Sequence, residues 1–261
     1  MRDWIDDLIA CLRFFTRLPT GADDHSMPDF ARSSRAAPLV GVVVGLIGAA
    51  VLAAGAWATG SAAVGAILAV AAGLLATGCF HEDGLADTAD GFGGGWSAAD
   101  KLAIMKDSRL GTYGGAALFT TLALKTALLA ALAGEAGTAP AAAVLLAGES
   151  VSRAAALHIG HRLPAVRRDG ASYAAGRPSR DAFLQAWGAG GAIALLLAWP
   201  AVSLVAALLA MAAAAGASAG VGALAMRQIG GQTGDVAGAA QQAALAAFLA
   251  TMLSAAHLAA S

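Results

Sequence analysis

The sequence predicts an all-α, polytopic integral membrane protein of about seven transmembrane helices, preceded by an amphipathic helix lying in the membrane interface. Three observations predict it. The first is composition: 58% of the 261 residues are hydrophobic and 13% charged, against roughly 45–50% and about 25% in ordinary globular domains. A soluble chain so poor in charge could not cover its own surface, and the mean hydropathy of +0.69 agrees. The second is the presence of seven stretches near the roughly 20 apolar residues that cross about 30 Å of hydrocarbon. They fall at about 38–58, 61–80, 112–133, 138–158, 182–199, 201–225 and 236–258. The third is that Lys and Arg occupy alternate connections between these stretches. The same composition excludes disorder, and a net charge of −1 without a basic stretch excludes nucleic acid as a partner. The two cysteines form neither a disulfide framework nor a metal-ligand pattern.

At the amino terminus, Asp3, Asp6 and Asp7 interrupt any hydrophobic region, so a signal peptide is not expected. Trp4, Ile5, Leu8, Ile9, Leu12 and Phe15 fall at helical spacing, with Asp6, Arg13 and Arg17 on other faces. This predicts a helix on the cytoplasmic leaflet, within an interfacial segment 1–35. In the first span, Gly41-Val-Val-Val-Gly45 is a small-xxx-small pattern of the kind that lets helices approach closely. In a chain with 33 glycines, such spacing also arises by chance. Gly188, Gly190 and Gly191 interrupt the fifth span.

Of the 16 Lys and Arg residues, five precede the first span (Arg2, Arg13, Arg17, Arg32 and Arg35) and three follow the second (Lys101, Lys106 and Arg109). Arg162, Arg167, Arg168, Arg177 and Arg180 follow the fourth span, and Arg227 follows the sixth. The connections near Gly60, at 134–137 and near Pro200 carry none. By the positive-inside rule, the amino terminus and the loops 81–111 and 159–181 are cytoplasmic and the carboxyl terminus lies outside. The expectation is one membrane-embedded domain, 1–261, in the cell (inner) membrane.

Three polar segments carry chemistry. In Gly78-Cys-Phe-His-Glu-Asp-Gly-Leu-Ala-Asp-Thr-Ala-Asp-Gly91, the carboxylates Asp83, Asp87 and Asp90 are spaced i, i+4, i+7. At 3.6 residues per turn they share one helix face, within roughly 60°. Like charges so placed repel unless a cation lies between them, and carboxylate oxygens suit Mg²⁺. Glu82 points off that face, toward solvent or a supporting position. The second segment, Lys106-Asp-Ser-Arg-Leu-Gly-Thr-Tyr-Gly-Gly115, offers positive charge at Lys106 and Arg109. Its Gly111, Gly114 and Gly115 allow close backbone approach at a helix amino terminus, which together suggests a phosphate cradle. In the third, Gly230-Gly-Gln-Thr-Gly-Asp235, Asp235 can complete a metal site, Gln232 and Thr233 can bind a polar ligand, and a helix cap explains the segment equally well.

Within the spans, Lys125, Glu149 and Arg153 need partners. Glu149 and Arg153 are i, i+4 and can pair, and Lys125 is expected to reach Glu149. Arg153 lies about 8 Å from the cytoplasmic end, within reach of a site there. His81 adjoins the acidic motif, whereas His25, His158, His161 and His257 look incidental.

The sequence resembles the cobalamin synthase family, the adenosylcobinamide-GDP ribazoletransferases. The resemblance is carried by Phe14-Phe-Thr-Arg-Leu-Pro19, Pro38-Leu-Val-Gly41, Asp83-Gly-Leu-Ala-Asp-Thr-Ala-Asp-Gly91, Lys106-Asp-Ser-Arg-Leu-Gly-Thr-Tyr-Gly114, Ser152-Arg153 and Gly230-Gly-Gln-Thr-Gly-Asp235, in the family's order. Glu82 departs from the family pattern, which has an apolar residue there. The resemblance implies a Mg²⁺-dependent membrane enzyme late in cobalamin synthesis. Its substrates would be adenosylcobinamide-GDP and α-ribazole or its 5′-phosphate, with GMP released, and other enzymes of nucleotide-loop assembly are possible partners. It implies Asp83, Asp87 and Asp90 as metal ligands and Asp235 or Asp107 as proton acceptor. Lys106, Ser108, Arg109, Gly111, Arg153, Gln232, Thr233 and Arg17 would contact substrate or its phosphates. Two other readings are a CDP-alcohol phosphotransferase, whose pattern fails where Ala86 is followed by Asp87 instead of Arg, and a secondary transporter, whose acidic residues would lie at the bilayer midplane.

Overall fold

The computed structural model describes residues 2–21 and 27–260; His25 lies outside them. Eleven α-helices appear among the described residues. They are α1 (Arg2–Phe15), α2 (Ala37–Thr59), α3 (Ala62–Thr77), α4 (Phe80–Gly94), α5 (Ala98–Ile104), α6 (Thr112–Glu135), α7 (Thr138–Arg162), α8 (Ala171–Ala175), α9 (Arg180–Ala201), α10 (Leu204–Ile229) and α11 (Gly234–Ala260). Six are long and apolar enough to cross a membrane, or seven if the bent pair α3–α4 counts as one span. The fold is therefore the all-α, polytopic membrane architecture expected from composition. Helices α7 and α11 are the most enclosed of the spans, with 72% and 61% of their apolar windows buried, and the other spans surround them.

Small residues set the helix spacing. A Cβ on Gly41 would lie 2.3 Å from the Glu149 carbonyl oxygen, and one on Gly45 would lie 2.7 Å from the Leu146 Cα. The Gly41–Gly45 pattern is thus a true contact seam, along which α2 runs antiparallel to α7. Helix α3 returns antiparallel along α2, with Gly55 against Gly65 and Gly48 against Ala69. The fifth span is continuous after all, because Gly190 and Gly191 sit at close contacts with Ala154 and with Met211 and do not break the helix. Pro200 lies in the last turn of α9, and the connection to α10 falls at Val202 and Ser203.

The second span and the loop after it differ from expectation. Helix α3 stops at Thr77 after 16 residues, about 24 Å at 1.5 Å per residue. Gly78 and Cys79 then both adopt left-handed backbone, φ 63° and 60°, and turn the chain by 90° into α4. Segment 81–111 is therefore not all loop: it holds two helices, α4 and α5, with α4 packed against α6 and α11. Likewise α7 extends to Arg162, so 159–181 holds its tail, α8 and the first two residues of α9.

Helix α1 forms as predicted, but its inward face is anchored by charge. Asp7 is buried between Arg32 and Arg35, at 2.8 and 2.7 Å, while Ile5 faces outward. All the charged connections gather at one end of the bundle. The Arg17 N–H donates to the Ala76 carbonyl at 2.8 Å, Lys101 bonds Gln228, and Ala165 pairs with Gln232 in an isolated parallel bridge. At the opposite end, His257 of α11 meets Glu135 of α6.

Candidate active site

The crossing of α4 over the first turn of α11 builds the site. A Cβ on Gly84 would lie 2.8 Å from the Asp235 carbonyl oxygen, and one on Gly238 would lie 3.0 Å from that of His81. Only glycines permit this approach, which brings the acidic face of α4 against Asp235. A third element closes over them. The Val166 N–H donates to the Gln232 carbonyl at 3.1 Å, and the Gln232 N–H donates to the Pro164 carbonyl at 2.9 Å. This tether carries Arg167 over the site, where its Nη2 donates to Asp235 Oδ2 at 2.8 Å. Thr233 Oγ1 donates to the same oxygen at 3.1 Å. Arg167 Nε is buried without a hydrogen-bond partner.

Between these elements lies a cleft of about 380 Å³. Of the sequence-predicted site residues, Asp83, Asp235, Gln232, Thr233 and Arg17 line it. Arg17 crosses the α3–α4 bend over Gly78, where a Cβ would lie 2.7 Å from its Nε. Arg167, Asp169, Ser172 and Tyr173 also line the cleft. None of these four was a sequence candidate, because the bridge that brings them in joins segments with no common motif.

The three aspartates of α4 share a face as predicted but occupy different environments: Asp83 is exposed, Asp87 half-buried and Asp90 buried. Burial pushes the Asp87 carboxyl up to about 7, reinforced by Asp83 and Asp235 and only partly offset by Arg167. Asp90 faces the other way in function. Its two oxygens accept from the Gly111 N–H at 2.7 Å and the Gly114 N–H at 2.8 Å. It therefore caps α6, and a Cβ on Gly111 or Gly114 would fall 2.4 or 2.3 Å from its oxygens.

That arrangement corrects the phosphate-cradle expectation. The amino terminus of α6 does hold an anion, but the anion is Asp90. The basic residues nearby are spent on other partners at the rim. Arg109, 88% exposed, forks onto Asp107, with its Nε 3.0 Å from Oδ1, and these bonds hold Asp107 down at about 2. Lys106 pairs with Asp169, and Ser108 is exposed. None of Lys106, Asp107, Ser108, Arg109 or Gly111 lines the cleft.

Behind the cleft lies a separate buried network. Lys125 donates to Glu82 Oε1 at 3.0 Å and to Gln242 Oε1 at 2.8 Å; Gln242 donates to Glu82 at 2.9 Å. Glu82 is therefore buried, not solvated, and Lys125 pairs with it instead of with Glu149. Glu149 and Arg153 pair with each other as expected. Arg153 lies outside the cleft, 3% exposed.

Among the described residues, no three His, Cys, Asp or Glu side chains stand close enough to hold a metal ion as placed. The donor chemistry fits Mg²⁺ nonetheless. Asp83 and Asp87 are one helical turn apart with Asp235 against them, and Mg²⁺ commonly takes one or two carboxylates plus substrate phosphates and waters.

The family model described as cobalamin-5-phosphate synthase matches residues 7–253. An adenosylcobinamide-GDP ribazoletransferase from Azorhizobium caulinodans is 47% identical over 248 residues, covering 93% of each chain. One from Xanthobacter autotrophicus is 46% identical, covering 93% of this chain and 94% of its own. One from Mesorhizobium japonicum is 42% identical, covering 92% and 90%. No solved structure matches the chain. The match spans the bundle, the α4–α11 crossing and the tether over it: the chain belongs to the cobalamin-5-phosphate synthase family.

Proposed function

We propose that this protein transfers the adenosylcobinamide-phosphate group of adenosylcobinamide-GDP to α-ribazole, or to its 5′-phosphate, and releases GMP. The observation that carries this reading is the cleft itself, where the unpaired carboxylate of Asp83 lies alongside the half-buried guanidinium of Arg167, whose Nε has no partner. A diphosphate that is to be split needs both kinds of group. Asp83 and Asp87 would hold Mg²⁺, which neutralises charge on the phosphates when bound. Arg167 would present its unpartnered Nε–H to the diphosphate, with Arg17 at the cleft wall adding positive charge. A ribose hydroxyl of ribazole attacks the phosphorus bearing the aminopropanol arm, and the bond from that phosphorus to the bridging oxygen breaks. The GMP departs with the bonding electrons, and the hydroxyl proton passes to a cleft carboxylate. Asp235 suits this last role because Arg167 and Thr233 orient it within the cleft. Asp107, the other candidate, lies outside the cleft and is held ionised by Arg109.

The charged end of the bundle would face the cytoplasm and the carboxyl terminus the outside, by the positive-inside rule. A reporter fused after Ser261 should then work only when exported, and cytoplasmic activity would reverse the assignment. For the reaction, purified protein with adenosylcobinamide-GDP should release GMP only when ribazole and Mg²⁺ are both present. Release at the same rate without ribazole, or none with it, would overturn the proposal.

A further inference from the structure

Beside the acidic cleft, a recess of about 70 Å³ runs between α1, α4, α7 and the start of α11. Phe14, Phe15, Phe30, Phe80 and the ring of His81 line it. The rings pack edge to face or stacked, with centroid separations from 4.8 Å for Phe14–Phe30 to 5.7 Å for Phe15–His81. Ser172, Gln232 and Gly234 line both the recess and the cleft, so the two adjoin. We propose that this recess is the subsite for the planar base of the nucleoside acceptor: it takes the benzenoid edge of a ribosyl benzimidazole while the ribose lies in the cleft. The inference rests on the transfer reaction proposed above, in which ribazole is that acceptor.

Size, polarity and one unpaired donor agree on this occupant. A space of about 70 Å³ admits one edge of a fused ring and not a whole nucleoside, and the adjoining cleft of about 380 Å³ receives the remainder. Aromatic walls favour a flat ring packed against their faces and edges. No carboxylate lines the recess. Guanine, the other base in the reaction, would bury its N1–H and amino donors there without strong acceptors, at the cost of unmade hydrogen bonds. The benzenoid edge of a benzimidazole has no polar atom to satisfy. Its one unsubstituted ring nitrogen needs a donor, and Arg153, 3% exposed in the recess wall, keeps its Nε–H buried without a partner. With its base so placed, the ribose lies in the cleft lined by Asp83 and Asp235, where the acceptor must meet the diphosphate.

The test compares two nucleosides on the full-length protein in detergent: ribosyl benzimidazole, and ribosyl imidazole, which lacks the benzenoid ring. By calorimetric titration, the wild type should bind the benzimidazole at least tenfold more tightly. Ala156→Phe fills the recess from α7 and should weaken the benzimidazole at least tenfold, the imidazole by less than twofold, and leave KM for adenosylcobinamide-GDP unchanged. A folded Ala156→Phe protein that binds both nucleosides like the wild type overturns the subsite, as does a loss confined to adenosylcobinamide-GDP. A photolabel needs no variant: an azidobenzimidazole riboside should mark the peptides carrying Phe14, Phe15 or Phe80, and marking only elsewhere overturns the proposal. GMP release by the wild type separates the two claims. Release with no label in the recess removes the subsite and leaves the reaction. Label in the recess with no release removes the reaction and leaves the binding site.

Discussion

Glu82 and Asp83 are neighbours on one helix, and they show two opposite uses of a carboxylate. Glu82 turns inward, 7% exposed, and accepts from both Lys125 and Gln242. Asp83 turns outward into the cleft. The same division runs through the rest of the acidic motif, since Asp90 is consumed by two backbone N–H groups while Asp87 lies among other carboxylates. Charges that hold the bundle together are desolvated and paired. Those kept for a substrate are left with unspent capacity, which a cation and a diphosphate can use.

The largest effect should come from breaking the buried pair. Lys125→Met leaves Glu82 without its cation inside the bundle and should cost about 3–5 kcal/mol of stability, read by equilibrium unfolding in mixed micelles. Adding Glu82→Leu should recover most of that loss, because an apolar pair of similar volume removes the uncompensated charge. No recovery would mean that Lys125 serves more than Glu82.

Next comes Arg167, on the cleft side of the comparison. Arg167→Lys keeps a charge near Asp235 but loses the planar fork and the free Nε donor. One charge-assisted hydrogen bond is worth about 1.5–3 kcal/mol, so kcat/KM for adenosylcobinamide-GDP should fall about ten- to a hundredfold at unchanged stability. Unchanged kinetics would return Arg167 to a role in holding the tether.

Asp90 sharpens the division within the motif. Asp90→Ala removes both acceptors from the amino terminus of α6 and should cost about 1 kcal/mol or more in thermal unfolding, while Asp90→Asn keeps one acceptor oxygen and should cost less and keep activity. Inactive but stable Asp90→Asn would make it a metal ligand after all. The smallest effect belongs to Arg109. Exposed and already forked onto Asp107, it should tolerate Arg109→Lys with about a twofold change in kcat/KM or less. A larger loss would place the basic rim on the substrate.

These cases also show what was legible in the sequence. Helix number and the grouping of charge at one end followed from hydrophobic length and from the spacing of Lys and Arg, both local properties. The shared face of Asp83, Asp87 and Asp90 followed from helical periodicity, but their separate fates did not, because those depend on what packs against each. The basic, Gly-rich run at 106–115 looked like an anion site, and its helix amino terminus does hold one, supplied from α4, 21 residues upstream at Gly111. Sequence proximity points Lys125 to Glu149, on the adjoining helix in sequence; the 90° bend at Gly78 and Cys79 brings Glu82 to it instead. Arg167 carried no local signal at all, since its place depends on the bridge between Ala165 and Gln232.

The most direct measurement sets the two neighbours side by side. Glu82→Gln and Asp83→Asn each remove one negative charge with little change of shape, and both are assayed for thermal stability and for GMP release per folded molecule. Asp83→Asn should keep its unfolding temperature and lose at least about a hundredfold in rate, the scale of one preorganised electrostatic contact at a transition state. Glu82→Gln should unfold at clearly lower temperature, because Lys125 loses its counter-charge, and keep its rate within about threefold. An active Asp83→Asn, or a Glu82→Gln protein as stable as the wild type yet inactive, would contradict the division of labour on which the site is built.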